Sequence, residues 1–247
     1  MFDIIDTGPY SEPVHHAIDQ IMLEQVEKGL RGPTLRFWYR EKPAIPIGRF
    51  QSYRDEVDHD FVVDNDIKVV RRITGGGAMF VEPEKVITYS MYLPSDKVPD
   101  SFRESYEELD SWVVRALIRI GVTAEHEPLN DIVCPDGKIG GSAQLRKQKS
   151  VLHHATLNYN IDIERMLRCL RIGKDKISDK AVKSAEKRVA PISAETDLSV
   201  QEVVEELKKG FESENDAVRT SLDEDVRQEA FELAKNKFSR DSWNRRM

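Results

Sequence analysis

An α+β fold is predicted, built on one mixed, mostly antiparallel sheet covered on one face by helices. Three observations point to it: strand patterns concentrate before residue 160, helical patterns dominate after it, and no internal repeat or low-complexity tract interrupts them. At 247 residues, 39% hydrophobic and 33% charged, the chain can bury a sizeable core.

The elements follow in order. PVHHAIDQIMLEQVEKG places Val14, Ala17, Ile18, Ile21 and Met22 at helical spacing, with Pro13 near the start and Gly29 as a stop, so an amphipathic helix is expected. LRFWYR reads as a strand, PAIPIGRFQ as a proline-interrupted edge or loop, IKVVRR as a strand running into three glycines, and VITYSMYL as another strand. Ser101 and Glu104 form a capping box ahead of Tyr106, Leu109, Val113, Ala116, Leu117 and Ile120, and Gly121 closes that helix. From Asn130, NDIVCPDGKIGGSAQLR reads as two extended stretches joined at Asp136-Gly137, a pair suited to the positive φ angles of a tight hairpin. SVLHHATLNYNI gives a further strand. Helices are expected in DIERMLRCL, in the charged stretch DKAVKSAEKRV, in SVQEVVEELKKGF behind a Ser199/Glu202 capping box, and over roughly 222–238. The acidic FESENDAVRTSLDED reads as a link to the last helix.

Composition removes several function classes. The net charge of −7 supplies no overall basic field for nucleic acid or an anionic membrane, so any anion must be bound locally. MFDIIDTGPY lacks the features of a secretory signal and no segment approaches the roughly 20 apolar residues of a membrane span, so a cytoplasmic address is expected. The two cysteines, Cys134 and Cys169, suggest neither a disulfide framework nor a CxxC metal site.

Chemistry is concentrated in three segments. In RRITGGGAMF, Gly75, Gly76 and Gly77 make an entropically costly run that taken alone reads as a turn between strands. Neither GxxxxGK[ST] nor a GxGxxG opening a helix is present, which argues against a P-loop kinase or a Rossmann dehydrogenase. Three residues without Cβ nevertheless let backbone N–H groups touch carboxylate or phosphate oxygens. Arg71 and Arg72 fall on opposite faces of their strand, so one can face a ligand while the other is solvated or paired structurally. The second segment, DGKIGGSAQ, sets Lys138 beside another run of small residues, Gly140, Gly141, Ser142 and Ala143. The third, LHHATLNY, places His153 and His154 on opposite strand faces, which makes them poor partners for one metal.

Together, GRFQ at 48–51, RRITGGGAMF at 71–80, LNDIVCPDGKIGGSAQ at 129–144 and VLHHATL at 151–157 resemble the lipoate-protein ligase branch of the biotin/lipoate ligase family. The resemblance runs from HHAIDQIML to RDSWNRRM. It implies a central sheet with flanking helices and a two-step reaction. ATP activates lipoate (or octanoate) to an acyl-adenylate, and the acyl group then passes to a lysine of a lipoyl-domain acceptor. On this resemblance Lys138 matches the catalytic lysine. Arg72, Gly75, Gly76, Gly77, Ala78, Met79 and Phe80 line the lipoate and phosphate pocket, and Asn130, Asp131, Gly140, Gly141, Ser142, Ala143 and His154 join the binding residues. Mg²⁺ is expected with the nucleotide, with Asp131 and Asn130 as its neighbours, and Met79, Phe80 and Leu152 are expected to line a tunnel for the dithiolane tail. Residues 1–210 form the catalytic domain and 211–247 a helical tail. The length falls short of a C-terminal accessory domain, so a separate small subunit is an expected partner. VEPE follows Phe80 where many relatives carry a His-Asp pair, and HHAT replaces the more frequent HHGT.

Two rival readings stand beside this one. An octanoyltransferase or lipoyl amidotransferase of the same superfamily would use a cysteine thioester and no ATP. Cys134, four residues before Lys138, is the candidate nucleophile, although such enzymes place theirs well upstream of the lysine motif. A non-catalytic lipoate-binding regulator is the other.

Overall fold

A computed structural model describes residues 1–171 and 189–246, so most of the expected DKAVKSAEKRV helix lies outside the described residues. Strand β1 (Phe2–Tyr10) leads into helix α1 (Glu12–Glu27), then β2 (Thr34–Arg40) and β3 (Ala44–Ile47). Short helices α2 (Tyr53–Glu56) and α3 (His59–Asp64) precede β4 (Lys68–Arg71) and β5 (Val86–Pro94). Next come α4 (Phe102–Arg119), β6 (Glu125–Glu127), β7 (Asp131–Cys134), β8 (Gly137–Arg146), β9 (Ser150–Asn158) and α5 (Ile163–Cys169). The chain finishes with α6 (Val200–Glu214), β10 (Ala217–Thr220), α7 (Glu224–Leu233), a π-helical turn over Ala234–Phe238, and α8 (Asp241–Asn244).

Eight strands form one mixed sheet in the order β10-β1-β2-β5-β9-β8-β7-β6. β1 is parallel to both β10 and β2, and every later neighbour is antiparallel. β3 and β4 make a separate parallel pair at the head of the glycine triplet. The sheet is covered on both faces rather than the one expected. α4 and α6 bury Leu109, Trp112, Leu117, Leu207 and Phe211 against Leu35, Phe37, Tyr89 and Met91. On the other face α1 and α7 pack over Ile5, Tyr92 and Leu152. This is why eight of the nine residues of β5 are buried, without the alternation a half-solvated strand would show.

Local signals mostly act where the sequence puts them. Gly29 and Gly121 take positive φ just past α1 and α4. The Ser199/Glu202 capping box is complete, whereas at Ser101 only the bond from the Glu104 N–H to the hydroxyl forms. The β7–β8 turn is centred on Pro135-Asp136 rather than Asp136-Gly137, because Cys134 pairs directly with Gly137 and only the glycine has positive φ, at 142°. β1 is an element the sequence reading does not assign, since FDIIDTGPY interleaves its five strand formers with Asp, Gly and Pro and is held by neighbours on both sides. The stretch expected as an acidic link contains the end of α6 and strand β10, and the boundary drawn at 210/211 falls inside α6.

Within its apolar contact with the sheet, α1 also buries a carboxylate. Asp19 is wholly buried. Its Oδ1 accepts from Arg36 Nη2 (2.8 Å), Ser90 Oγ (2.9 Å) and Tyr92 OH (2.6 Å), and its Oδ2 lies 3.0 Å from His154 Nδ1. Burial alone would raise this carboxyl's pKa, but the Arg36 guanidinium and the His154 hydrogen bond hold it well below the usual carboxylate range. Arg71 serves the fold in a different way: its guanidinium donates to the carbonyls of Gly48, Arg49, Gln51, Trp243, Asn244 and Arg246, fastening the C-terminal segment to β4.

Asp19→Asn leaves the buried Arg36 without its counter-ion and is expected to cost about 3–5 kcal/mol in urea denaturation. Because the folded pKa is depressed, this contribution is complete above the unfolded carboxylate value. The gap between wild type and variant should therefore narrow as pH falls below about 4.

Candidate active site

The glycine segment is shaped by the cation beside it. Arg72 follows β4, is buried, and spends its guanidinium on the loop. Nε donates to Thr74 Oγ1 (3.0 Å), Nη1 to the Pro46 carbonyl (3.0 Å), and Nη2 to the carbonyls of Gly75 (2.7 Å) and Gly77 (2.8 Å). Burial lowers its pKa to about 10, still well above neutrality. With the carbonyls gathered inward, the N–H groups of Gly75, Gly76 and Gly77 have no protein acceptor among the described residues. Gly76 needs its residue type, with φ at 92°. So does Gly48 of the GRFQ segment, where a Cβ would stand 2.0 Å from the Gly76 carbonyl oxygen.

Facing this loop, β7 and β8 present the lysine. Lys138 Nζ donates to Asp131 Oδ1 at 2.6 Å, and the pair is 44% and 36% exposed. A Cβ on Gly141 would stand 2.9 Å from that Nζ, so the bare strand lets the lysine lie across it. Gly140 instead backs onto Leu157, where a Cβ would meet Cδ2 at 2.7 Å, so its bareness serves packing. Asn130 donates through Nδ2 to the Ser142 carbonyl (2.6 Å) and fixes the strand that carries the small residues.

The two segments share one cavity of about 160 Å³. Of the residues singled out from sequence, Arg72, Gly76, Gly77, Ala78, Met79, Asn130, Lys138, Gly141, Ser142, Ala143 and His154 line it. Gly75 stands behind it on Arg72, and Asp131 reaches it through Lys138. Phe80 and Gly140 line an adjoining cavity of about 240 Å³ that shares Ala78, Met79, Lys138, Gly141 and Thr156 with the first. Leu152, expected in a tail tunnel, lines neither and packs in the core beneath α1, because its strand neighbour His154 occupies the cavity position.

The histidines divide as their alternation requires. His153 turns to Asp110 (2.7 Å) and Gln144 on the α4 face. His154 bridges Asp19 and Thr74, with Nε2 2.8 Å from Thr74 Oγ1, and burial holds its pKa below the ordinary imidazole value. It therefore joins the Asp19 cluster to the glycine loop.

Eight cavity residues are missing from the site residues read from sequence: Glu12, His16, Trp38, Arg40, Pro46, Thr88, Ala155 and Thr156. A signal for two of them exists, since Glu12 and His16 sit at i, i+4 on the same helix face as core residues. Glu12 Oε2 accepts from Arg40 Nε at 3.0 Å. Burial raises the Glu12 pKa, but Arg40 and His16 together hold it well below the usual range.

Neither cysteine lines either cavity. Cys134 is buried in the large core and Cys169 beneath α2 and α3, and burial raises both thiols, Cys169 to about 12. Glu82, which stands where a His-Asp pair is common, is tied to Arg165 (3.0 Å) and to the start of α5. No helix of the described residues is long and apolar enough to cross a membrane.

Chemically, unsatisfied peptide N–H groups, a half-exposed ammonium and an apolar floor around one hollow suit an anionic head on an apolar tail. The family model for the lipoyl protein ligase A/B catalytic domain matches residues 12–212. The chain is 31% identical over 270 residues to the octanoyltransferase LipM of Exiguobacterium sp., covering 97% of this chain and 96% of that protein. Among solved structures it resembles a chain from the archaeal lipoylation system of Thermoplasma acidophilum, a bipartite lipoate protein ligase and its E2 lipoyl domain. That match has a TM-score of 0.86 and 27% identity, over 99% of this chain and 95% of that one. A lipoate-protein ligase A bound with ATP matches with a TM-score of 0.84 and 25% identity, over 99% of this chain and 97% of that one. With that match along most of its length and a mixed sheet flanked by helices, the chain belongs to the lipoyl protein ligase A/B catalytic domain family.

Proposed function

We propose that the chain is an ATP-dependent lipoate-protein ligase, which activates lipoate to lipoyl-AMP and passes the lipoyl group to a lysine of a lipoyl domain. The observation that carries this reading over acyl transfer through a thioester is the cavity wall. It offers an ammonium and free peptide N–H groups but no thiol, and the only two cysteines of the sequence are buried elsewhere with raised pKa values. The likeness to an ATP-bound ligase supports the same reading.

The residues have distinct tasks in this scheme. The N–H groups of Gly76 and Gly77 hold acyl carboxylate or phosphate oxygens without reorganising, because Arg72 has already fixed the carbonyls of Gly75 and Gly77 on either side of Gly76. Lys138 lies where two anions must approach and offsets their repulsion. Its bond to Asp131 is half exposed and worth little, so the ammonium can exchange that partner for an incoming anion. His154, whose pKa burial lowers, holds Thr74 on one ring nitrogen and Asp19 on the other. Among the described residues no three His, Cys, Asp or Glu gather to hold a metal. Mg²⁺ therefore fits as an ion brought by the nucleotide, with Asp131 as its protein carboxylate, and it would neutralise phosphate charge when bound. An acceptor lipoyl domain and a separate small subunit complete the scheme, as the bipartite T. acidophilum relative suggests.

A second reading, octanoyl transfer, is favoured by one observation, the match to LipM over nearly the full length of both chains. It makes an opposite demand on the thiols.

Lys138→Ala should lower lipoate-dependent exchange between pyrophosphate and ATP by about 10²–10³-fold with an unchanged circular dichroism spectrum. Near-normal exchange would remove Lys138 from the chemistry. The double variant Cys134→Ser/Cys169→Ser should retain ATP-dependent lipoylation of a lipoyl domain. Loss of all acyl transfer in it, with a thioester trapped on the parent chain, would establish the transferase instead.

A further inference from the structure

A cationic patch stands at the lip of the cavity, on a chain whose net charge is −7. The turn at 48–51, closed by the Gln51 N–H on the Gly48 carbonyl (3.1 Å), lies against the glycine loop. The Arg49 N–H donates to the Thr74 carbonyl (2.8 Å), and Gly48 stands so close to Gly76 that a Cβ would collide with its carbonyl. Gly76 lines the cavity and is itself exposed. At the tip of the turn Phe50 is 77% exposed, the most exposed large apolar side chain of the described residues.

Arg71 draws the C-terminal segment to the same place. One guanidinium takes the carbonyls of Gly48, Arg49 and Gln51 from the turn and those of Trp243, Asn244 and Arg246 from the terminus. The terminal cations rest on aromatic faces: Arg245 lies 5.1 Å over Tyr53, and Trp243 carries Arg246 at 3.8 Å and Lys237 at 4.0 Å. For the four cations Arg49, Lys237, Arg245 and Arg246, the described residues supply one carboxylate at ion-pair distance, Asp241, which is 3.3 Å from Arg245 and 73% exposed. Burial foremost, joined by the fields of Arg246 and Arg49 against that of Glu24, lowers the Lys237 pKa to about 8.

Cations gathered without counter-charge around an exposed aromatic suit an acidic protein face, with Phe50 as anchor and the arginines steering approach. The patch has neither the row of stacking platforms a nucleic-acid strand uses nor the broad apolar face that enters lipid. We infer that Phe50, Arg49, Arg245 and Arg246 form the docking surface for the acceptor protein, and that the acceptor carries carboxylates around its target lysine. An acceptor seated on the 48–51 turn has the lip at Gly76 and Gly77 beside it, through which its lysine reaches the acyl group. This rests on the proposed transfer to a protein lysine and is the same under the ligase and octanoyl-transfer readings.

Titration of the full chain with an unmodified lipoyl domain, read by biolayer interferometry, tests this without turnover. Phe50→Asp and Arg245→Glu, both at exposed side chains, should each weaken the Kd about fivefold to twentyfold. Wild-type binding should weaken at least about fivefold between about 50 and about 300 mM NaCl. Among single carboxylate-to-lysine changes around the domain's target lysine, at least one should restore binding to Arg245→Glu. No wild-type binding, an unchanged Kd in both variants, or no restoring change overturns the inference. So does tighter, Arg245-dependent binding of single-stranded DNA or of phosphatidylglycerol vesicles. Lipoate-dependent pyrophosphate exchange run in parallel separates the two claims: docking lost in the variants with no exchange in the wild type sustains this inference and removes the ligase reading, whereas normal exchange with docking unchanged does the reverse.

Discussion

The structure depends on one buried carboxylate. Taking Asp19 out of water costs several kcal/mol, and in this position nothing apolar offsets it. Four groups converge on it instead, from three different strands: Arg36 of β2, Ser90 and Tyr92 of β5, and His154 of β9. Coulomb attraction to Arg36 and the short hydrogen bonds outweigh the burial penalty, which is why the carboxyl stays charged. Because the donors come from three different strands, the satisfied cluster fixes the rotation of α1 over the sheet more narrowly than apolar packing alone would.

That rotation reaches the candidate site by contact. His154 turns its second nitrogen to Thr74, Thr74 accepts from Arg72, and Arg72 collects the carbonyls of Gly75 and Gly77. Each link is a hydrogen bond between buried or part-buried groups, so the loop's free N–H groups inherit their direction from the helix on the other side of the histidine. A glycine run would otherwise be the most entropically costly part of the chain to hold still. Here the order comes from cations binding peptide oxygens, leaving amide donors as the exposed chemistry.

Legibility in the sequence follows the range of the forces involved. Caps, stops and most strands were readable because their determinants are local, as at Gly29, Gly121 and Ser199. The roles of Arg71 and Arg72 were only half readable: alternation separates the two, but Arg71's attachment to Trp243, Asn244 and Arg246 spans more than 170 positions. Strand β1 and the second helical layer escaped for the same reason, since pairing with β10 and coverage by α7 are set by residues over 200 positions away. The paired glycine and lysine segments were found because bare backbone near a cation is rare and conspicuous. Glu12, His16, Trp38, Arg40 and Thr88 were not, because residues at core spacing look like packing until the fold closes a cavity on them.

The two sides of that cavity differ in how tightly their charges are held, and this difference is the functional content of the architecture. Glu12 and Arg40 are buried and mutually bonded, so moving either would strand a charge in a low-dielectric setting. Lys138 and Asp131 lie at the open end, where water screens them and partner exchange costs little. Under the proposed ligase reading, fixed groups frame the seated acid, whereas managing an anion whose charge changes during reaction requires a cation free to follow it. Strand β8 supplies the needed compromise. Its backbone at Lys138 is pinned by Val133 on one side and by Val189 and Ala190 on the other, while Gly141 leaves the side chain room to swing. A rigid strand carrying one mobile ammonium beside rigid amides is what such a reaction demands of a protein.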